Sequence, residues 1–538
     1  MNARKTDKFI PVEIGSFRWY VSREYSHMAE RLARIMDHGS PPAAKASKVR
    51  KVFFVPGAHN EPALVLKEYT TAGIGAFLRT WVLGAPAQRE WRALSHLREC
   101  GISVPRVVAL GVSTRFSLHS RTCLALIRIE ECCNVEEILL QQKPLPFPRK
   151  ELAEKLGHLV RGMHDAGVLH KDLHAANLLV DSTGGVYVVD LHGAGIHSHL
   201  SFRKRAQDLI SLAGAFLVHG KRTDRLRFFK AYNRGGEGTK HYKSSARKVE
   251  QMSRDRLFMF LEKFDSRSLR PGRSFQALEV HDLTGIAERS DRAGTLARVL
   301  GPYPHETLEE KGHLIHHTRE TAVYRFEQLG ERYVVKAYEK PGVTEGAKRL
   351  FMGSRGRQCW FNYHRLFFRG ISVPRPILFL EEPPHSPSGR SFVVTEDQPD
   401  RLTLDRFIET ADESAKAEVS RRLAEAVARM HTLFLSNRDM KAQNILIGPL
   451  HEVSFIDPDG VSSMREPSLY FMARDLMRIN ASFGRNSNVS LPDRIRFLKA
   501  YATHMQLARC WVRELWREIL HLTWTKWNRW DQYKKHFS

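Results

Sequence analysis

Asp172, Asn177 and Asp190 fall within one stretch, Gly167 to Gly193, reading GVLHKDLHAANLLVDSTGGVYVVDLHG. Their types suit the transfer of a phosphoryl group from a nucleotide to a hydroxyl. That reaction needs a carboxylate to orient the hydroxyl and accept its proton, and oxygen ligands for the magnesium that neutralises charge on the phosphates. Asp172 suits the first task, and Asn177 and Asp190 suit the second. The spacing predicts a catalytic loop followed by a β-hairpin, with Asn177 to Val180 as one strand, Asp181 to Gly185 as the turn and Val186 to Val189 as the return. Such a hairpin brings Asn177 and Asp190 toward one place. Turn and cap chemistry accounts for any one of these residues alone, but gives no reason for a carboxylate at the end of the second strand.

The pattern occurs twice. Residues 437 to 460 read NRDMKAQNILIGPLHEVSFIDPDG and place Asp439, Asn444 and Asp457 at the same spacings of 5 and 18. Lys67 in ALVLKEY is matched by Lys336 in YVVKAY at an offset of 269. Met163-His164 and Asp208 are matched by Met430-His431 and Asp475 at 267. GISVPR at 101 to 106 recurs at 370 to 375, and FFKAY at 228 to 232 recurs as FLKAY at 497 to 501. Offsets this steady mean two homologous halves.

The elements that must position these residues are partly legible. Lys67 lies among apolar residues on a predicted strand, Ala63 to Tyr69. A buried lysine is costly unless something negative meets it, so Lys67 and Lys336 are candidates for the phosphates, a solvent-facing lysine being the alternative. Glu90 falls in the first turn of a predicted helix, Gln88 to Cys100, where it either pairs with Lys67 or complements the helix dipole. A second amphipathic helix begins at Glu151 and delivers the chain to the catalytic loop. Asp208 opens a helix expected to support that loop. The basic cluster Arg203, Lys204, Arg205, Lys221, Arg222, Arg225 and Arg227 is either a solvated face or a dock for an anionic acceptor.

The copies differ. Where the first has Glu90 the second has Cys359, so Lys336 is expected to lack an ion-pair partner. Where the first has His174 the second has Lys441, placed to reach a transferred phosphate.

At 538 residues, with 42% apolar and 27% charged, the chain is expected to form several soluble domains. The divisions expected are an N-terminal extension over 1–45, a first domain over 46–275, a linker over 276–308 and a second domain over 309–538. Six cysteines in no zinc-like spacing point to a reducing compartment. The N-terminus does not read as a secretory signal, and no apolar run approaches the ~20 residues of a membrane span. A cytoplasmic location is expected. The net charge of +25 favours phosphorylated or anionic partners, including an anionic membrane surface. Nucleic acid is the weaker choice, since no binding motif for it is found. The tail from Arg509 carries five of the nine tryptophans among basic residues, as an interfacial membrane helix does, and as does a last helix packing aromatics on its neighbours.

YVVKAY, GISVPR, HKDLHAANLLV with VYVVDLHG, and NRDMKAQNILI with SFIDPDG together resemble the protein-kinase-like superfamily, and most closely its lipopolysaccharide kinase (Kdo/WaaP) branch. The resemblance implies an α+β fold: two tandem bilobal kinase-like domains, each with a small antiparallel sheet of five strands and one helix above a helical lobe. It implies Asp172 and Asp439 as catalytic bases, and Asn177, Asp190, Asn444 and Asp457 as magnesium ligands. Lys67 and Lys336 would contact the ATP phosphates, with Glu90 pairing Lys67. The acceptor implied is a sugar hydroxyl of the lipopolysaccharide inner core, or another phosphorylated glycolipid, reached at the cytoplasmic face of the inner membrane. Two other readings stand beside it: a kinase of a soluble sugar or aminoglycoside-like molecule, and a non-catalytic pseudokinase scaffold. No glycine-rich GxGxxG loop precedes either lysine, and no APE-like segment follows either distal aspartate, which argues against a protein acceptor.

Overall fold

The computed structural model describes residues 9–38, 42–47, 49–57, 61–73, 80, 84–114, 119–141, 143–234, 242–301, 304–328, 330–338, 353–383, 386, 389–484 and 488–537. The chain divides into two compact units, Met1–Arg256 and Leu257–Ser538, the division falling within helix Tyr242–Asp265.

In the first unit seven antiparallel strands form one sheet, in the order Phe9–Ile14, Phe17–Ser22, Val107–Ser113, His119–Ile127, Leu64–Ala72, Arg50–Val55 and Lys45–Ala46. The period of two along Leu64–Ala72 decides which way its lysine faces. Leu64 and Leu66 pack with Phe17, Trp19 and Phe53 under helix Ala29–His38, on the back of the sheet. Val65 and Tyr69 fall on the other side, against helix Pro86–Glu99 and the helical lobe, and Lys67 shares their parity. Because both faces are covered, the inner strands read as nearly continuous apolar runs.

Three expectations are corrected here. The resemblance implied five strands and one helix, and the observed sheet has seven strands with helices on both faces. Residues 9–38, expected to belong to an extension, supply the two added strands and the helix that seals the back of the sheet. Residues 276–308, expected to be a linker, do the same in the second unit. There Phe275–Val280 and Leu283–Glu288 pair at the matching edge of a seven-stranded sheet, and helix Asp291–Leu300 buries Leu296 and Leu300 against it. Phe275 opens this hairpin as Phe9 opens its counterpart, at nearly the offset that relates the motifs, so the duplication reaches further N-terminal than the motifs show. Leu32 is fully buried in this back layer. Leu32→Ala is expected to cost the first unit about 2–4 kcal/mol, read as a lowered urea midpoint.

The motif GISVPR ties the sheet lobe to the helical lobe. Gly101 (φ 75°) and Gly370 (φ 65°) end their helices in the left-handed region, which a residue with a Cβ rarely adopts. Gly101 N donates to Arg98 O at 3.0 Å and Ile102 N to Leu97 O at 2.9 Å, and the second copy repeats both bonds at Gly370 and Ile371. Ser103 O then accepts from Val188 N at 3.2 Å, and Ser372 O from Phe455 N at 2.9 Å. The helix exit is thereby fixed to the hairpin that carries the distal aspartate.

The other recurring motifs meet inside each helical lobe. His164 bonds Tyr232 at 2.8 Å and Asp208 at 3.2 Å, and His431 bonds Tyr501 at 2.6 Å and Asp475 at 3.3 Å. Burial would raise the Asp475 carboxyl, but the His431 hydrogen bond, with the charges of His431 and Arg474, holds it below the ordinary carboxylate range. A depressed carboxylate contributes stability that is present above its unfolded pKa, near 4, and is lost as pH falls through the folded value. The second unit is therefore expected to lose stability below about pH 4, and Asp475→Asn to flatten that loss in urea titrations between neutral and acid pH.

The tail forms helix Arg509–Phe537. Leu515, Ile519 and Thr523 are buried in the second helical lobe, while Trp511 and Trp524 are exposed. Side chains beyond Asn528 lie outside the described residues. No helix among the described residues is long and apolar enough to cross a membrane.

Candidate active site

Asp208 builds the catalytic loop of the first unit from below. Fully buried, it accepts His170 N at 2.7 Å and Lys171 N at 2.8 Å, and so fixes the backbone immediately before Asp172. Ala175–Asn177 forms a short 3₁₀ turn, after which Leu178–Asp181 pairs with Val186–Val188 as the hairpin expected. Asn177 Nδ2 donates to Asp172 O at 2.9 Å and to His174 Nε2 at 3.1 Å, so its carbonyl oxygen is the atom left to ligate. The Asp172 side chain is 66% exposed, with His174 Nε2 at 3.7 Å from one oxygen, so it is open to an incoming hydroxyl.

Asp190 follows the return strand with φ 64°, and Asp457 adopts φ 56° at the equivalent position. A non-glycine residue held there in both copies is a strained feature of the kind that collects at functional sites. The turn presents the Asp190 carboxylate to three bases. Arg50 Nη1 reaches its oxygens at 2.6 and 2.9 Å, His192 Nδ1 lies at 3.0 Å and Lys67 Nζ at 3.3 Å. Burial would raise this carboxyl, but the His192 hydrogen bond, the Lys67 charge and the Arg50 hydrogen bond hold it far below the usual range. It is an anion at any working pH.

Lys67 is in turn held by Glu90, whose Oε1 lies 2.6 Å from Nζ, while Tyr69 OH donates to Oε2 at 2.7 Å. Glu90 is fully buried, so of its two expected partners the lysine, not the helix dipole, is the one it meets. Burial works against the Lys67 charge, and Glu90 and Asp190 outweigh it. Asp172, Asn177, Asp190, Arg50 and Tyr69 line one open cleft of about 710 Å³. An amide oxygen and a carboxylate, completed by phosphate oxygens, form a donor set suited to magnesium. Among the described residues no group of three or more His, Cys, Asp or Glu gathers as a metal site of its own.

The second unit brings the matching residues together with different partners. Asn444 Nδ2 donates to Asp439 O at 3.0 Å and to Asp439 Oδ2 at 3.1 Å. Arg478 binds the other Asp439 oxygen, and Lys441 Nζ lies 3.6 Å from Oδ2. Burial would raise Asp439, but the Arg478 hydrogen bond and the Lys441 charge lower it, which makes it a weaker base. Lys336 does not lack a partner, contrary to the expectation drawn from Cys359. Its Nζ lies 2.5 Å from Asp457 Oδ1 and 2.9 Å from Asp459 Oδ2.

A model of the lipopolysaccharide kinase (Kdo/WaaP) family matches residues 70–267 and again 307–501. The chain belongs to that family. Among curated relatives in it, the 3-deoxy-D-manno-octulosonic acid kinase of Vibrio cholerae is 35% identical over 104 residues, 19% of this chain and 41% of the relative. The lipopolysaccharide core heptose(I) kinase WaaP of Pseudomonas aeruginosa is 32% identical over 166 residues, 28% of this chain and 60% of the relative. The chain thus spans about two fifths to three fifths of the length of these relatives. A solved structure titled WaaP in complex with acyl carrier protein aligns with 39% of this chain and 88% of its own, at 22% identity and TM-score 0.31. Family membership and the doubled match agree with the tandem repeat and the mixed fold of the two units.

Several side chains at these clefts were not singled out from the sequence. Arg50 and His192 reach Asp190, Arg478 reaches Asp439, and Asp459 reaches Lys336. The D-x-H and D-x-D triplets at 190–192 and 457–459 were the available signal. Part of the basic cluster is engaged in ion pairs. Arg205 is paired with Asp165 at 2.7 Å, Arg225 with Glu250 at 3.3 Å and Arg227 with Asp224 at 3.2 Å, all within the helical lobe.

Proposed function

We propose that the chain is an ATP-dependent phosphotransferase that phosphorylates a sugar hydroxyl of the lipopolysaccharide inner core at the cytoplasmic face of the inner membrane, with turnover in the first unit. The convergence of Asp172, Asn177 and Asp190 on one cleft, with Lys67 Nζ 3.3 Å from Asp190, in a chain of this family, is the observation that supports it. Asp172, exposed at the mouth, orients the acceptor hydroxyl and takes its proton. Lys67, aimed by Glu90, and Arg50 meet the phosphates, which replace Asp190 as their anionic partner. Asn177 Oδ1 and the Asp190 carboxylate hold magnesium, which supplies neutralisation of the phosphate charge when bound. The matching roles in the second unit fall to Asp439, Asn444, Asp457 and Lys336, with Lys441 near a transferred phosphate. There the bond from Arg478 to Asp439 favours nucleotide binding with weak turnover.

The test is transfer of labelled phosphate from ATP to purified core oligosaccharides that differ in whether the 3-deoxy-D-manno-octulosonic acid or the first heptose carries a free hydroxyl. Incorporation into one of them is expected. Transfer to free monosaccharides or aminoglycosides alone would overturn the acceptor assignment. Membrane contact is read separately, by flotation with anionic vesicles. Trp511→Ser with Trp524→Ser is expected to reduce flotation, because both rings lie exposed on a helix whose other face is buried. Unchanged flotation removes that helix as the contact.

A further inference from the structure

The second copy rebuilds its acid–lysine pair from a different part of the chain. In the first copy Glu90, on helix Pro86–Glu99, takes Lys67 with one oxygen and Tyr69 with the other. The matching positions in the second copy, at the offset of 269, are Lys336, Tyr338 and Cys359. Cys359 is fully buried where Glu90 stood, and burial pushes its thiol well up, so it brings no negative charge. Asp459 takes over both contacts. Its Oδ2 lies 2.9 Å from Lys336 Nζ, and its Oδ1 accepts Tyr338 OH at 2.7 Å. Asp459 follows Asp457 as His192 follows Asp190, so an acid has been exchanged between helix and loop, with Glu90 and His192 in one copy answering to Cys359 and Asp459 in the other.

The helix that lost the acid now anchors the loop that gained it. Asn362, fully buried on helix Arg355–Phe368, donates through Nδ2 to Pro458 O at 2.9 Å and to Val461 O at 3.2 Å, on either side of Asp459. Tyr363 OH accepts from Asp457 N at 3.4 Å. The chemistry gives a reason for the second acid. Asp457 cannot hold a metal-bound triphosphate and also serve as the lysine's counter-charge. With a neutral residue at 359, Asp459 is the acid that remains to aim Lys336 once Asp457 is engaged.

We propose that Asp459 is the positioning residue for Lys336, and that the second unit is a second nucleotide-binding site rather than a remnant. This rests on the reading of both clefts as nucleotide sites. The experiment uses the full chain with the first site silenced by Lys67→Met and Asp190→Asn, titrated with a non-hydrolysable ATP analogue and magnesium by calorimetry. That parent is expected to bind the analogue, and Asp459→Asn to weaken binding about tenfold, as Lys336→Met does. Cys359→Glu combined with Asp459→His, which restores the first copy's arrangement, is expected to recover most of the loss. Asp459→Glu, which keeps the charge on the native loop, provides the same check should the double exchange not fold. Unchanged melting without nucleotide would show that Asp459→Asn acts on the lysine and not on folding. Binding undiminished by Asp459→Asn but lost with Lys336→Met overturns the role of Asp459 and leaves the nucleotide site standing. No binding by the parent overturns both.

Discussion

Asp172→Ala is expected to lower phosphate transfer by about a thousandfold, while Asp439→Ala lowers it by less than about tenfold. Both residues sit at the same place in their repeats, and the difference rests on their surroundings. Asp172 is two-thirds exposed, and among the described residues its nearest base is His174 at 3.7 Å. It is free to accept a hydroxyl as a hydrogen-bond donor and then its proton. Asp439 already accepts from Arg478 on one oxygen and from Asn444 on the other, so an incoming hydroxyl competes with both. Its lowered pKa further reduces its pull on a proton. Initial rates with ATP and core oligosaccharide, with KM for ATP measured alongside, decide this. A large kcat loss with KM little changed identifies Asp172 as acting in the reaction and not in nucleotide binding. The reverse ranking of the two variants would move turnover to the second unit.

Asp208→Ala is expected to destabilise the first unit by about 3–5 kcal/mol, with an accompanying loss of turnover. The residue is fully buried, and its two oxygens satisfy His170 N, Lys171 N and His164 Nε2. Removing them leaves three donors unpaired in a site that water does not reach, each at about 1–3 kcal/mol before relaxation. The amides at 170 and 171 also set the backbone that carries Asp172, so the loop loosens even where the unit stays folded. Urea unfolding of the two variants Asp208→Ala and Asp208→Asn separates the effects. The asparagine keeps the shape and one acceptor, and is expected to retain more stability than activity. Equal unfolding midpoints for wild type and Asp208→Ala would show that this carboxylate does not hold the loop.

Much of this arrangement is local in sequence and therefore legible there. The catalytic loop and hairpin lie within the single stretch from Gly167 to Gly193, and turn signals and alternation locate Asp172, Asn177 and Asp190 without long-range information. The FFKAY and FLKAY repeats were visible as repeats, but their purpose was not, since Tyr232 meets His164 and Tyr501 meets His431 only after helices far apart in the chain pack together. The segment up to His38 carries no motif residues and reads from the sequence only as an extension. Its place against the sheet depends on a strand much later in the chain, Val107–Ser113, and nothing local announces that pairing.

The residue types, their spacings and the internal repeat by themselves established two copies of a phosphotransfer-like constellation, the family resemblance and the lysine that each sheet contributes. Which acid holds Lys336 was decided by tertiary structure alone. The direction of a carboxylate two places past the distal aspartate follows from the left-handed backbone at Asp190 and Asp457 and from the helix packed above that turn. With Glu90 on the helix the turn carries a histidine, and with Cys359 there it carries Asp459, whose oxygens reach Lys336 because Asn362 pins the turn on both sides. Spacing fixes what a chain can bring near a site, while the charge that completes an ion pair is set by whichever element the packing places within about 3 Å.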